Sequence, residues 1–375
     1  MKILILSCKT GGGHDAAGHA IAEQLTQLGE EAYLFDHLLL AGGKVSDTVG
    51  KSYVRLVQKA PLLFGAIYKL GSVVSRIVRK SPVYYTNGLI APYLNQYLQD
   101  NQFDAIIMPH LFPAETITYM KRKGMKLPLT IAVATDYTAI PFWSETECDY
   151  YVIPSDDLAK EFCTGKIRRR QLLAYGIPVS PAFSAQITKE DARRKLSICH
   201  KERIYLVVGG SMGAGQLLTL VDMLSASKKK KEHILVICGS NQKIKKKLQK
   251  RFEGEDTITI LGHTDQMPLY LKSCDILYTK PGGLTSTEAA VAEIPLVHTA
   301  PIPGCESINR QYFRKRGISV SAPSAPGQIA AGLRLLEHPE QVEKMKENQR
   351  RYIPKDAAYQ ICKFVREHAD SQCNV

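Results

Sequence analysis

KILILSCKTGGGHDAAGHAIAEQL, residues 2–25, reads from a short apolar strand, through three glycines and a histidine, into a helix. The stretch AAGHAIAEQLTQLG, residues 16–29, reads as that helix, closing on Gly29. An apolar strand, a glycine turn and an amphipathic helix make the opening unit of a parallel sheet covered on both faces. EAYLFDHL reads as the second strand, and FDAIIMPH, LPLTIAVATD and CDYYVIPS as further buried strands, each ending in a polar or turn residue. The pattern then restarts at RIYLVVGGSMGAGQLLTLVDML, residues 203–224, and runs on through HILVICGS, TITILGH, CDILYTK and IPLVHTA. The join lies around YGIPVSPAF and the ITKEDARRKLSI helix, between Ile177 and His200. The expected fold class is therefore α/β, two doubly wound Rossmann-like domains with no short repeat period. The expected boundaries are 1–180, 200–340, and a C-terminal helical stretch, 341–375, packing back on the first domain. Ligands of open α/β sheets sit beyond the carboxyl ends of the strands, so a cleft between the two domains is the expected active site.

At 375 residues the chain exceeds one ordinary core, which agrees with two domains. Its 45% apolar content and mean hydropathy of −0.14 describe a soluble globular protein. MKILILS is too short for a signal peptide, and no apolar span of about 18 residues predicts a membrane-crossing helix. The nine cysteines are scattered singly without CxxC or Cys/His spacing, as expected for reduced thiols in a cytoplasm and no zinc site.

The formal charge of +13 points to nucleic acid, an anionic membrane surface or phosphorylated small molecules. Its distribution selects among these. Thr48 to Gln99 contains no Asp or Glu, but carries Lys51, Arg55, Lys59, Lys69, Arg76, Arg79 and Lys80 among many apolar residues. That mixture suits a segment lying on anionic headgroups with its apolar side among the acyl chains. The plainer alternative is a core helix with a solvated basic face. The KKKK run at 228–231 and the KIKKK run at 243–247 read as solvated surface.

Gly11 to Gly13 deliver His14 to a helix start at the end of the first strand. The field of a helix N-terminus disfavours protonation there. A neutral imidazole is a competent general base for a hydroxyl nucleophile. The loop is no P-loop, because it lacks GKS or GKT, and it breaks the GxGxxG spacing. A helix-capping turn with an incidental histidine is the alternative, and His19 is read as structural. GGSMGAG, residues 209–215, is a second candidate phosphate turn. TKPGGLTSTEAAVAEIPLV, residues 279–297, places Thr285, Ser286 and Glu288 at a helix start. Hydroxyls and amides there suit a diphosphate, and a carboxylate one turn in suits paired ribose hydroxyls. APIPGCESINRQYF presents Glu306 and Asn309 from a proline-fixed loop. The two glutamates also suit helix N-termini on electrostatic grounds alone.

TGGGH, GGSMGAG, LGHTDQM, KPGGLTSTE and PIPGCESIN occur in that order. Together they resemble the processive diacylglycerol glucosyltransferase and monogalactosyldiacylglycerol synthase family, relatives of the peptidoglycan lipid-linked N-acetylglucosaminyltransferase. The resemblance spans nearly the whole chain and is most specific over 279–309. It implies a GT-B fold, a UDP-hexose donor held mostly by the C-terminal domain, and a lipid acceptor, diacylglycerol, on the N-terminal domain. It also implies inversion at the anomeric carbon, no metal and no cofactor, the UDP-sugar being a substrate.

Carried onto this chain, the resemblance makes His14 the base, Gly13 a donor contact beside it, and Ser211 and Gly213 the donor phosphate loop. It makes Thr264 and Met267 contacts of the nucleobase, and Gly283, Leu284, Thr285 and Glu288 contacts of the diphosphate and ribose. It puts Glu306 and Asn309 at the transferred sugar. Some members carry an acid two positions before the first glycine, where this chain has Lys9, so a catalytic role for that carboxylate does not transfer. Asp136 is a second catalytic candidate, orienting His14 or the acceptor, with buried capping as its alternative.

The resulting expectation is an inverting hexosyltransferase, peripheral on the cytoplasmic face of the cell membrane and attracted by anionic lipids. Glucose and galactose stay open as the sugar. Rivals are transfer to another lipid-linked acceptor and a soluble UDP-sugar epimerase of the same architecture. A nucleic-acid-binding protein is not expected, because the lysine runs lack aromatic interleaving and no binding module is recognisable.

Overall fold

The computed structural model describes the chain except residues 9–11, 78–79, 199–201, 211–216 and 370–375. It divides into two compact units, Met1–Pro181 with Pro354–Val375, and Ala182–Ile353.

The first unit opens with β1 (Lys2–Ser7), α1 (Gly12–Gln27) and β2 (Glu31–Asp36). A helical stretch follows, α2 (Gly43–Lys59), α3 (Pro61–Ile77), α4 (Pro82–Gly88) and α5 (Ala91–Asn101). Then come β3 (Ala105–Met108), α6 (Leu111–Arg122), β4 (Leu129–Val133), β5 (Tyr150–Val152), α7 (Ala159–Phe162) and β6 (Leu172–Leu173). The strands form one sheet in the order β2-β1-β3-β4-β5-β6, and every pairing is parallel. β1, β3 and β4 are Val/Ile/Leu-rich because helices cover both of their faces. Gly18 lets α1 lie close on β2, since a Cβ there would stand 2.8 Å from Leu34 Cδ1.

The second unit runs α8 (Lys189–Lys195), β7 (Ile204–Val208), α9 (Leu217–Ser227), β8 (His233–Ile237), α10 (Gln242–Arg251) and β9 (Ile258–Leu261). It continues with α11 (Met267–Ser273), β10 (Ile276–Thr279), α12 (Gly283–Val291), β11 (Leu296–His298), α13 (Cys305–Lys315) and β12 (Val320–Ser321). α14 (Ala325–Glu337) and α15 (Pro339–Tyr352) close it. Its sheet has the order β12-β11-β10-β7-β8-β9, again all parallel. Both orders turn back beside the first strand of the unit, the doubly wound arrangement that opens a crevice at the strand ends.

The C-terminal stretch differs from the expected 341–375 block. α15 stays with the second unit, because Gln349 is fully buried there and donates to the Ile294 carbonyl at 2.9 Å. Met345 Sδ likewise accepts from Leu296 N. Only the residues from Pro354 join the first unit, in α16 (Ala357–His368). Ile361, Cys362, Phe364 and Val365 of α16 enter the core formed by Ile3, Ile5, Ile21, Leu25 and Ile107. The first sheet thus owes part of one face to residues some 340 positions away, such as Cys362, whose Sγ contacts the Ile21 carbonyl.

The acid-free segment became paired helices with an uncovered side. On α3, Leu63, Ile67, Leu70 and Val73 are 54%, 48%, 64% and 54% exposed. Their spacing of four, three and three residues puts them on one stripe of the helix. The helix is held from elsewhere, by Ser75 Oγ accepting from Phe142 N at 2.8 Å and by Gly71 against the Phe142 ring. Lys51, Arg55, Lys69 and Lys80 are exposed around it. No helix among the described residues is long and apolar enough to cross a membrane.

Candidate active site

In the first unit the carboxyl ends of β1, β3 and β4 converge on His14, the third residue of α1. Its Nδ1 lies 2.9 Å from the carbonyl of Pro109, which follows β3, and 2.9 Å from Thr135 Oγ1, which follows β4. A carbonyl can only accept, so Nδ1 carries a hydrogen. Burial pushes the imidazole pKa down to about 4, against the opposing effect of the Pro109 bond. At neutral pH the ring is therefore uncharged, with its lone pair on Nε2. That is the tautomer a base needs. Burial is the main cause of the neutrality expected from the sequence.

The ring is fixed from its side as well. His110 stands edge-on to His14 at 4.4 Å between centroids, and Phe112 packs on His110 in turn. His110 Nδ1 accepts from Phe112 N at 3.0 Å, capping α6, and burial holds this second imidazole well below its ordinary pKa. Asp15 accepts from the Ser7 hydroxyl, tying the first turn of α1 to the end of β1. Gly13 lies inside that first turn. Asp136 is half-buried one position beyond Thr135. Sequence reasoning chose Asp136 from the loop ATDYT and passed over its neighbour Thr135, whose hydroxyl meets His14.

The second unit gathers its candidates where β7, β10 and β11 end. A small cleft there is lined by Val208, Gly209, Leu217, Lys280, Thr299 and Gln328 among others. Ser211 and Gly213 lie outside the described residues, immediately after Gly210. Gly283 begins α12, with Leu284 buried and Thr285 half-buried in its first turn. Free amides at such a helix start attract anions. The helix is anchored by Ser286, whose hydroxyl meets His298 Nε2 at 2.9 Å, while Ser319 holds the other ring nitrogen at 3.0 Å. Burial raises the Glu288 carboxyl to about 7. Thr264 Oγ1 accepts from Gln266 N at 3.1 Å in the turn that leads to Met267, the first residue of α11.

Glu306 and Asn309 sit in the first two turns of α13 and do different things. Glu306 Oε2 accepts from Ile302 N at 2.6 Å, while Oε1 meets Lys280 Nζ at 3.0 Å. Asn309 is fully buried, and its Nδ2 donates to the Pro281 carbonyl at 3.1 Å. Asn309 therefore holds the Pro281 turn in place, and Glu306 is the one poised at the strand ends. Sequence reasoning passed over Lys280, although it opens the quoted KPGG motif. A potential metal shell exists away from these groups, where Cys8, Asp36 and His37 place ligand atoms within 4.8 Å of one another. Both Asp36 oxygens already accept, from Leu38 N and from Ser46 Oγ.

Residues 14–179 match the family model for monogalactosyldiacylglycerol (MGDG) synthase, and residues 188–352 that for glycosyl transferases group 1. The processive diacylglycerol beta-glucosyltransferase of Bacillus mycoides (strain KBAB4) is 25% identical over 383 aligned residues, covering 98% of this chain and 95% of the relative. Among solved structures, Acinetobacter baumannii MurG is similar with a TM-score of 0.61 and 14% identity, over 98% of this chain and 99% of that one. The S. aureus MnaA–UDP co-structure matches with a TM-score of 0.64 and 13% identity, over 99% and 97%. The architecture is that of the GT-B fold, two Rossmann-like domains each with a parallel six-stranded sheet.

Proposed function

From the premise that this chain belongs to the glycosyltransferases that join a monogalactosyldiacylglycerol synthase domain to a group 1 glycosyl transferase domain, we propose that it transfers a hexose from a UDP-sugar to diacylglycerol at a membrane surface. The observation that carries the reading is the His14 tautomer, with Nδ1–H given to Pro109 and the Nε2 lone pair left for a substrate proton. The acceptor hydroxyl of diacylglycerol gives its proton to Nε2 as its oxygen attacks the anomeric carbon. The bond to UDP breaks on the opposite face, and the configuration inverts. Amides at the start of α12 stabilise the charge that develops on the departing diphosphate, the kind of fixed dipole that acts most strongly in a partly dry site. Glu288 accepts the two ribose hydroxyls. Thr264 and Met267 flank the base, with Ser211 and Gly213 on the phosphates. Asp136 orients the acceptor. The acceptor's choice of diacylglycerol rests on the name of the relative, and the exposed stripe on α3 with its basic surround supports attachment to the cytoplasmic leaflet.

The test is sugar transfer from radiolabelled UDP-glucose and UDP-galactose to diacylglycerol in vesicles with and without anionic lipid. Labelled glycolipid, increased by anionic lipid, is the expected product. Free UDP or an epimerised sugar without labelled lipid would overturn the reading.

The raised Glu288 carboxyl makes donor recognition depend on pH. Only its ionised form accepts two hydroxyls, and that form is gained as pH rises through about 7. Affinity for uridine, a probe with no phosphate to titrate, should be about tenfold weaker at pH 6 than at pH 8. Glu288→Gln should remove the dependence and leave uridine binding weak at both values, as followed by NMR titration. A wild-type affinity flat across that range would remove Glu288 from the ribose.

A further inference from the structure

Lys280 and Glu306 form an ion pair in which both side chains are almost out of water, at 10% and 12% exposure. It lies beside two glycine-bearing stretches of backbone. A Cβ added at Gly210, which leads into the first glycine loop of the second unit, would stand 3.4 Å from Lys280 Cε and 3.7 Å from Nζ. One added at Gly282, just ahead of α12, would stand 4.0 Å from Glu306 Oε1. Lys280 also lines the small cleft at the strand ends. The ammonium thus lies beside the Gly210 backbone, and the carboxylate that holds it lies beside Gly282, ahead of the α12 amides that suit phosphates. Replacing a buried pair with apolar residues is often neutral or stabilising, so stability alone is a weak reason for a chain to keep one here.

We propose that Lys280 is a donor-binding residue that exchanges partners, leaving Glu306 for the diphosphate of the incoming UDP-sugar and so freeing Glu306 Oε1 to accept a hydroxyl of the transferred sugar. The inference rests on the UDP-sugar reading above and assigns the exchange to this pair. Three features make the exchange workable. The ammonium sits on a four-carbon stem and moves between two anions a few ångströms apart without backbone change. Glu306 keeps its place when Lys280 leaves, because Oε2 remains bonded to Ile302 N at 2.6 Å. A diphosphate brought beside a buried carboxylate is repelled unless a cation stands between them, and Lys280 is so placed. The empty site therefore carries a neutral pair. The loaded site carries a lysine–diphosphate pair and a carboxylate turned to the sugar.

The exchange predicts opposite effects from the two partners, measured by calorimetric titration of UDP and of uridine. Lys280→Met should weaken UDP binding roughly tenfold or more, the worth of a charge-assisted contact, and leave uridine binding unchanged. Glu306→Gln should tighten UDP binding about three- to tenfold, since Lys280 no longer has to leave a charged partner and the repulsion is gone, while turnover falls. A pair that merely braces the fold would weaken UDP and uridine alike in both variants. The double variant Lys280→Met/Glu306→Gln, which leaves no unpaired buried charge, should bind UDP less weakly than Lys280→Met, because the repelling carboxylate is gone as well, but more weakly than Glu306→Gln, and uridine normally. Equal losses for UDP and uridine, or UDP binding unchanged or weaker in Glu306→Gln, would overturn the exchange. Wild-type protein that binds no UDP would sink the UDP-donor reading itself and this inference with it.

Discussion

His14→Ala lowers glycosyl transfer about a thousandfold while UDP affinity stays within roughly a factor of two. The size follows from what the side chain supplies. A hydroxyl attacking an anomeric carbon needs somewhere to leave its proton, and positioned general bases contribute on the order of 10² to 10⁴ in rate. The selectivity follows from location, because the candidates for the uridine and the phosphates, Gly13 apart, belong to the other unit of the chain. The burial that drives the His14 pKa to about 4 keeps the ring neutral throughout the ordinary working range. The rate should therefore show no inflection from His14 between pH 5.5 and 8, and any acid limb there belongs to another group. Thr135→Val gives a graded version. Pro109 then remains as the partner of Nδ1, the ring loses one of its two aiming contacts, and kcat falls about tenfold with KM little changed. Imidazole added to the buffer should restore part of the His14→Ala rate and none of any loss that comes from misfolding. Transfer by His14→Ala within about tenfold of wild type would remove His14 as the base.

Strand and helix order was readable because both sheets are parallel and covered on both faces. KILILS, FDAIIMPH, IYLVV and HILVICG are continuous apolar runs, and such runs separated by helix-sized stretches admit few other folds. The two-residue strands β6 and β12 carry no such run and were not readable. The helix start was misjudged by four residues, since the glycines that suggested a turn lie partly within the first turn of α1. The site was half legible. Motif spacing pointed to His14, Glu288 and Glu306, in stretches that glycine or proline punctuates. It missed Thr135 and Lys280, whose importance lies in which neighbour they touch, and neighbours 121 and 26 positions away leave no local pattern. Asn309, from a motif that suggested a sugar contact, also has a structural task that spacing does not show, since its Nδ2 donates to the Pro281 carbonyl. The return of α16 to the first unit was expected in outline, but the place where the chain leaves the second unit was set by the burial of Met345 and Gln349.

Leu63→Ser, Ile67→Ser and Leu70→Ser together should abolish stable attachment to vesicles, lowering partition about a hundredfold. Each side chain is about half exposed or more in the protein and has an apolar environment to gain only on a surface such as a bilayer. Moving such a side chain from water into acyl chains is worth about 1 kcal/mol, so three give about 3 kcal/mol, or two powers of ten. The basic residues act through a different force, and salt separates the two. Arg55→Gln, Lys69→Gln and Lys80→Gln should also weaken binding to anionic vesicles, by about 1 kcal/mol for each charge near the surface, but only at low ionic strength. At 0.5 M salt the charge variants and wild type should bind alike, whereas the serine variants remain detached. Because the substituted apolar residues are exposed, the serine protein should melt as wild type does and still bind UDP. It should also glycosylate a short-chain diacylglycerol dissolved below its aggregation limit. If that soluble acceptor were lost as well, the stripe would belong to the catalytic fold. If vesicle binding persisted, the membrane would be held elsewhere and the acid-free segment would be ordinary solvated surface. Loss on vesicles with retention in solution is the outcome expected of a helix whose uncovered side exists to meet lipid.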